Sequence, residues 1–217
     1  MSNSDSFIQE VSEEVRRDRL FGLMRRYGWI AVTAVLILVG GAAWVEWTRA
    51  TDRAAAQAFG DAIAAALEAD NPEDRRAALD GIEATGGQRA LVAMLAADTL
   101  ATPEARAAAR ADLAAIADDA AVPQVWRELA MLKTAMLMQG DAAPQEVIDL
   151  LEPLTIPGAP FRLLAMEQQA IAHVAAGDTD AALAQLQRIA GDDAATRDLQ
   201  GRVRQLIVSL GGTLETA

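Results

Sequence analysis

A chain of 217 residues with 31 acidic and 19 basic side chains has a net charge of −12, which repels nucleic acid and anionic headgroups. It has no cysteine, which excludes disulfides, thiolate metal sites and cysteine nucleophiles. Ala and Leu are abundant and aromatic residues make up only 4%, a balance that favours helix over strand and predicts an all-α fold.

Residues 4–26 predict an amphipathic helix. Ser6-Phe7-Ile8-Gln9 matches a capping box, and Phe7, Ile8, Val11 and Val15 follow at helical spacing. This tail, residues 1–26, either presents a face to a partner or the inner leaflet, or is simply continuous with the apolar segment after it.

Residues 27–45 contain no charged side chain, with Arg25 and Arg26 before them and Glu46 after. A helix of this length covers roughly 28 Å, close to a hydrocarbon core of about 30 Å. Trp29, Trp44 and Trp47 lie near its two ends, where indoles prefer the headgroup layer. Residues 27–47 are therefore expected to form a single transmembrane helix. A cleaved signal peptide competes, with Gly41-Ala42-Ala43 as a cleavage site. The charged region before the apolar run is too long for that, and the run itself exceeds the usual 7–15 residues. Gly40-Gly41 permits close helix approach, but no full GxxxG accompanies it.

Arg16, Arg17, Arg19, Arg25 and Arg26 precede the anchor, whereas only Arg49 and Arg53 follow closely, beside Glu46 and Asp52. The positive-inside bias then puts the tail in the cytoplasm and residues 48–217 outside, in a bacterial cell the periplasm.

Beyond Thr51, apolar-periodic stretches predict helices over 54–69, 73–84, 88–101, 103–117, 123–139, 144–152, 160–176, 179–190 and 194–210. Asn71-Pro72, Gly86-Gly87, Thr102-Pro103, Gly140-Asp141, Pro153, Gly177-Asp178 and Gly191-Asp192 are among the breaks. Thr102-Pro103-Glu104 combines an N-cap, a proline at the first position and a first-turn acid. Leu129-Ala130-Met131 returns as Leu164-Ala165-Met166, and Leu151 and Leu154 return as Leu186 and Ile189, each shifted by 35 residues.

A period near 34 with two helices per unit is the signature of the tetratricopeptide repeat. In the last unit Ala170, Gly177, Ala182 and Leu186 occupy the consensus positions, while Met166 and His173 depart from them. About four helix pairs and a closing helix exposing Arg197, Arg202 and Arg204 would make a short solenoid. Its concave face, built from first helices, would include Arg127, Thr134, Leu137 and Met138, then Glu167, Ile171 and Val174. That mixture suits an apolar peptide or helix with one or two charged contacts. The alternative is that Leu137, Ile171 and Val174 belong to the core.

Phe7-Ile8-Gln9-Glu10-Val11, Arg16-Arg17-Asp18-Arg19, Arg25-Arg26-Tyr27-Gly28-Trp29 and the loop from Leu151-Glu152-Pro153-Leu154 to Pro157-Gly158-Ala159-Pro160-Phe161-Arg162 carry a wider resemblance. The chain resembles bacterial single-span inner-membrane proteins with a periplasmic tetratricopeptide-like domain, a family that includes the ancillary subunit of the Sec translocon. The resemblance implies a membrane-tethered scaffold near the translocon and periplasmic chaperones.

Residues for catalysis are sparse. His173 is the only histidine and Lys133 the only lysine, and Ser209 is the one serine beyond the tail. No nucleophile elbow, histidine pair or phosphate loop occurs. A non-enzymatic interaction scaffold without cofactor or small-molecule substrate is the leading expectation. A structural envelope-assembly or cell-division factor acting by self-association is the alternative, with a homo-oligomer as its product.

Overall fold

A computed structural model describes the backbone of residues 3–98 and 102–213, and side chains from Arg25 onward within those ranges, Ala31 excepted. The described residues are all-helical, with no strand among them. Two compact units divide the chain, Met1–Gly60 and Asp61–Ala217.

The first unit belongs to helix α1, Asn3–Leu67. Ser6 lies inside this helix rather than before it, so it is not the N-cap its sequence context predicts. The apolar side chains that would make the tail amphipathic, Phe7 to Val15, lie outside the described ones. The stretch 54–69 does not begin a separate helix, because 46–53 contains neither glycine nor proline and α1 continues through it. Within α1, Arg25–Leu67 is long and apolar enough to cross a membrane. Trp29, Leu36, Ile37, Leu38 and Trp44 are all at least 65% exposed. At its ends the Arg26 guanidinium lies 5.9 Å from the Tyr27 ring centroid, and the Trp44 and Trp47 rings stand 5.5 Å apart. The Thr48 and Thr51 hydroxyls donate back to carbonyls of the preceding turn, which satisfies them without solvent.

The second unit contains α2 (Pro72–Asp80), α3 (Gly86–Ala96), α4 (Pro103–Asp118), α5 (Gln124–Met138), α6 (Pro144–Leu151), α7 (Arg162–Ala175), α8 (Thr179–Ala190) and α9 (Arg197–Ser209). A 3-10 turn, Glu152–Leu154, follows α6 where Pro153 forbids a further α-helical bond. Side chains set several starts. Asn71 accepts from the Asp74 N–H, Thr102 from Ala105, Asp178 from Ala181 and Thr196 from Leu199, each supplying an acceptor to an otherwise orphan donor. Gly177 turns the chain between α7 and α8 with φ +80°, a conformation that penalises any Cβ. Two helices end early. α2 stops at Asp80 before Gly81, and α3 stops at Ala96 with Ala97 closing its last turn.

Packing is between chain neighbours, with α3 also touching α5 and α5 touching α7. Three apolar clusters result. One joins α3, α4 and α5 through Met94, Leu113, Ile116 and Ala130. A second joins α5, α6 and α7 through Leu132, Val147, Leu151 and Ala165. A third joins α7, α8 and α9 through Met166, Leu186, Ile189 and Val203.

The first and third clusters are the same arrangement displaced by 73 residues. Leu113 corresponds to Leu186, Ile116 to Ile189, Val122 to Ala195 and Ala130 to Val203, all buried. The ion pair Arg89–Asp119 corresponds to Arg162–Asp192. In both, the aspartate also accepts the backbone N–H two residues on, from Ala121 or Ala194. The displacement is close to twice the 35-residue echo, so two helix pairs make one structural period.

Candidate functional site

The second unit carries a groove of about 620 Å³ between α5, α7 and α9. Leu132 and Met136 come from α5, one helical turn apart, and Leu164 and Ile171 come from α7, two turns apart. On α9, Arg202, Leu206 and Ser209 share one face. Aliphatic side chains thus dominate the walls, and Gln168 and Gln205 add amides at the margin.

One ion pair crosses this groove. The Arg202 Nε donates to Glu167 Oε1 and its Nη2 to Oε2, both at 2.8 Å, a two-pronged geometry that fixes the guanidinium plane. The Glu167 side chain is 6% exposed and that of Arg202 51%. The hydrogen bonds to Glu167 raise the Arg202 pKa above its ordinary value, against desolvation, and the charges of Glu167 and Asp198 reinforce the shift.

Behind the groove, α7 is held by amides. Gln169 Nε2 donates to the Ile148 carbonyl and to Glu152, and Gln185 Nε2 donates to Gln169 Oε1 and the Met166 carbonyl. Gln139 Nε2 donates to the Gln168 carbonyl from the end of α5. Each buried amide therefore finds a partner, and the groove's floor is fixed by hydrogen bonds to α5, α6 and α8.

A second hollow of about 410 Å³ adjoins the first and shares Leu164 and Arg202 with it. Phe161, Leu163 and Leu199 give it apolar walls, and Asp198 lies at its α9 side. A separate hollow between α2, α3 and α4 is crossed by Arg76, paired with Asp80 and Asp112, and bordered by Arg89, paired with Asp119. Its cations face acids of the chain itself.

Of the residues expected on the concave face, Glu167 and Ile171 line the groove. Thr134 is buried, its hydroxyl donating to the Ala130 carbonyl within α5. Leu137 packs on the α3–α4–α5 cluster and Met138 on the α5–α6–α7 cluster. Arg127 is half-buried and its Nε is enclosed with no hydrogen-bond partner among the described residues. Val174 is 39% exposed on α7, outside the groove. The face of α5 that opens onto the groove is instead that of Leu132 and Met136. Arg202 is tied to Glu167 rather than freely solvated, whereas Arg197 and Arg204 are exposed.

The Glu167–Arg202 pair had a signal in the sequence: opposite charges 35 residues apart, the spacing of the internal echo. Asp98 and Lys133 show the same spacing and are paired at 2.6 Å between the segment just after α3 and α5. His173 lies in the last turn of α7, half-buried, its Nδ1 4.0 Å from the Asp178 carboxylate. Comparison of the chain with protein-family models, curated proteins and solved structures finds no significant match.

Proposed function

We propose that this chain is a membrane-anchored, non-enzymatic scaffold that holds an apolar segment of a partner protein in the groove between α5, α7 and α9. On this reading the unit Asp61–Ala217 is a short solenoid of tetratricopeptide-like helix pairs, and the 73-residue correspondence of its clusters supports that. The groove is the observation that carries the reading. It is walled by Leu132, Met136, Leu164, Ile171 and Leu206, while its one ion pair is internally satisfied. Such a surface offers area to aliphatic side chains without demanding a particular chemistry, as helix-in-groove and extended-peptide sites do.

The family resemblance of the tail, anchor and 151–162 loop directs the proposal to the bacterial inner membrane, with the Sec translocon and periplasmic chaperones as partners. The arginine imbalance supports a cytoplasmic tail and a periplasmic domain. A reporter active only in the periplasm should then work after Ala217 and fail before Met1. The reverse pattern would overturn the topology.

The function is tested by placing a photo-crosslinking amino acid at Met136 or Leu206 in intact membranes. Translocon or chaperone adducts at these positions, with none at exposed Val125 on the same unit, are the expected result. Adducts between copies of the chain alone would favour the self-associating assembly factor, and equal adducts at all three positions would remove the groove from the account.

A further inference from the structure

Resting on the scaffold reading, we infer that the segment received by the groove carries a basic side chain beside its apolar stretch, and that Asp198 is the residue that selects it. The two hollows share Leu164 and Arg202 and so adjoin one another along α9. Character changes along it. The end at Met136 and Leu206 is aliphatic, the middle is crossed by a guanidinium pinned to Glu167, and the far end is bordered by Asp198.

The charges along the two hollows do not cancel. Arg202 is neutralised by Glu167, and Arg162 by Asp192 at 2.6 Å. Asp198 is exposed and has no ion pair among the described residues. Its charge acts on Arg202, one helical turn on, without bonding to it, so the carboxylate oxygens are left to face an occupant. The surroundings favour the same sign: residues 61–217 contain 24 acidic and 12 basic side chains, which attracts cationic segments and repels acidic ones. A second copy of the chain would bring the same acidic surface against this one, so like-charge repulsion opposes it as the occupant.

The bland account of Asp198 is that it merely complements the N-terminal turn of α9. That account predicts a small loss of stability on its removal and no change in the charge preference of a ligand.

The test uses the full chain in nanodiscs of zwitterionic lipid and fluorescent peptides of about ten residues, with a Leu/Val/Ala core and Lys, Gln or Glu at both ends. Anisotropy should rank them Lys tightest and Glu weakest, with about three- to tenfold between Lys and Gln at low salt and less as salt is added. Asp198→Asn should level the ranking and Asp198→Lys reverse it, with helical content unchanged by circular dichroism. Met136→Glu and Leu206→Glu should weaken all three peptides. Binding that ignores the terminal charge, or a ranking that Asp198→Lys fails to reverse, overturns the inference and leaves the scaffold reading standing. Absence of binding by all three peptides, or binding indifferent to Met136→Glu and Leu206→Glu, overturns both. A dimer in sedimentation that Leu206→Glu breaks would make a second copy the occupant and also overturns the inference.

Discussion

Glu167 accepts two hydrogen bonds from Arg202 while itself 6% exposed, so most of its hydration has been exchanged for that one partner. Arg202→Ala strands the carboxylate. A buried charged group left without a partner costs about 1–3 kcal/mol, and the half-exposed arginine keeps the loss from being larger. Urea unfolding of the full chain in detergent, followed by circular dichroism, should show that loss, whereas Arg204→Ala on the exposed side of α9 should show almost none. Asp192 permits a pH prediction. The hydrogen bond from Arg162 and that from the Ala194 N–H lower its pKa below 3.8, and the arginine's charge adds to them. A lowered carboxylate pKa contributes stability that is present above the unfolded value and lost as pH falls through the folded one. The Asp192 carboxyl resonance should therefore titrate below 3.8, and Arg162→Gln should return it toward that value.

At the scale of the helix, local chemistry was legible and lateral packing was less so. The starts at Asn71-Pro72, Thr102-Pro103 and Gly177-Asp178 depend on side chains bonding to their own next turn, so a few residues suffice to read them. The groove face of α5 was not readable in the same way. Ala130, Leu132 and Ala135 are buried while Leu129, Met131, Leu137 and Met138 are partly so, because α5 packs against neighbours on several sides. No single apolar stripe then marks a direction, and the expected face at Thr134, Leu137 and Met138 differs from the one at Leu132 and Met136. On α7 two of the three expected residues, Glu167 and Ile171, do line the groove, although Glu167 and Gln169 are buried polar residues that a simple apolar stripe does not anticipate. Ala182 tests the element directly. It is 0% exposed on α8, which packs against α7 and α9. Ala182→Trp should overpack this site and lower stability by about 1–3 kcal/mol. An unchanged thermal midpoint would show that the site has slack which close packing of α8 does not allow.

At the scale of the molecule, charge and apolar surface are segregated. Residues 1–60 contain 7 acidic and 7 basic side chains, and the whole net charge of −12 falls in residues 61–217. The exposed apolar surface of Arg25–Leu67 is present in addition to the groove, and on the scaffold reading the two would divide anchoring from recognition. On the scaffold reading, a tether holds the groove near membrane partners at a local concentration of the order of mM for a short linker. Removing residues 1–47 and exporting the remainder should weaken partner co-purification strongly while circular dichroism stays helical. Capture equal to that of the full chain would make the helix an address only. The apolar run within Arg25–Leu67 was legible because it needs only composition and length; the groove was legible in outline alone, because a hollow depends on helices distant in sequence.

The neighbour-to-neighbour packing of α2 to α9 also bears on how the unit comes into being. Helix contacts reach the next helix or the one after it, and the ion pairs that tie one helix to a later element join residues 30 to 36 positions apart. A chain appearing from its N-terminal side can then close each hairpin as soon as that hairpin is complete, without waiting for α9. Loop-closure entropy stays small at every step, and no strand edge awaits a distant mate. The last helix completes the groove, because Arg202, Gln205 and Leu206 all come from it. On the scaffold reading, receptivity would be withheld until synthesis has passed residue 209, so that a half-built surface would hold no client.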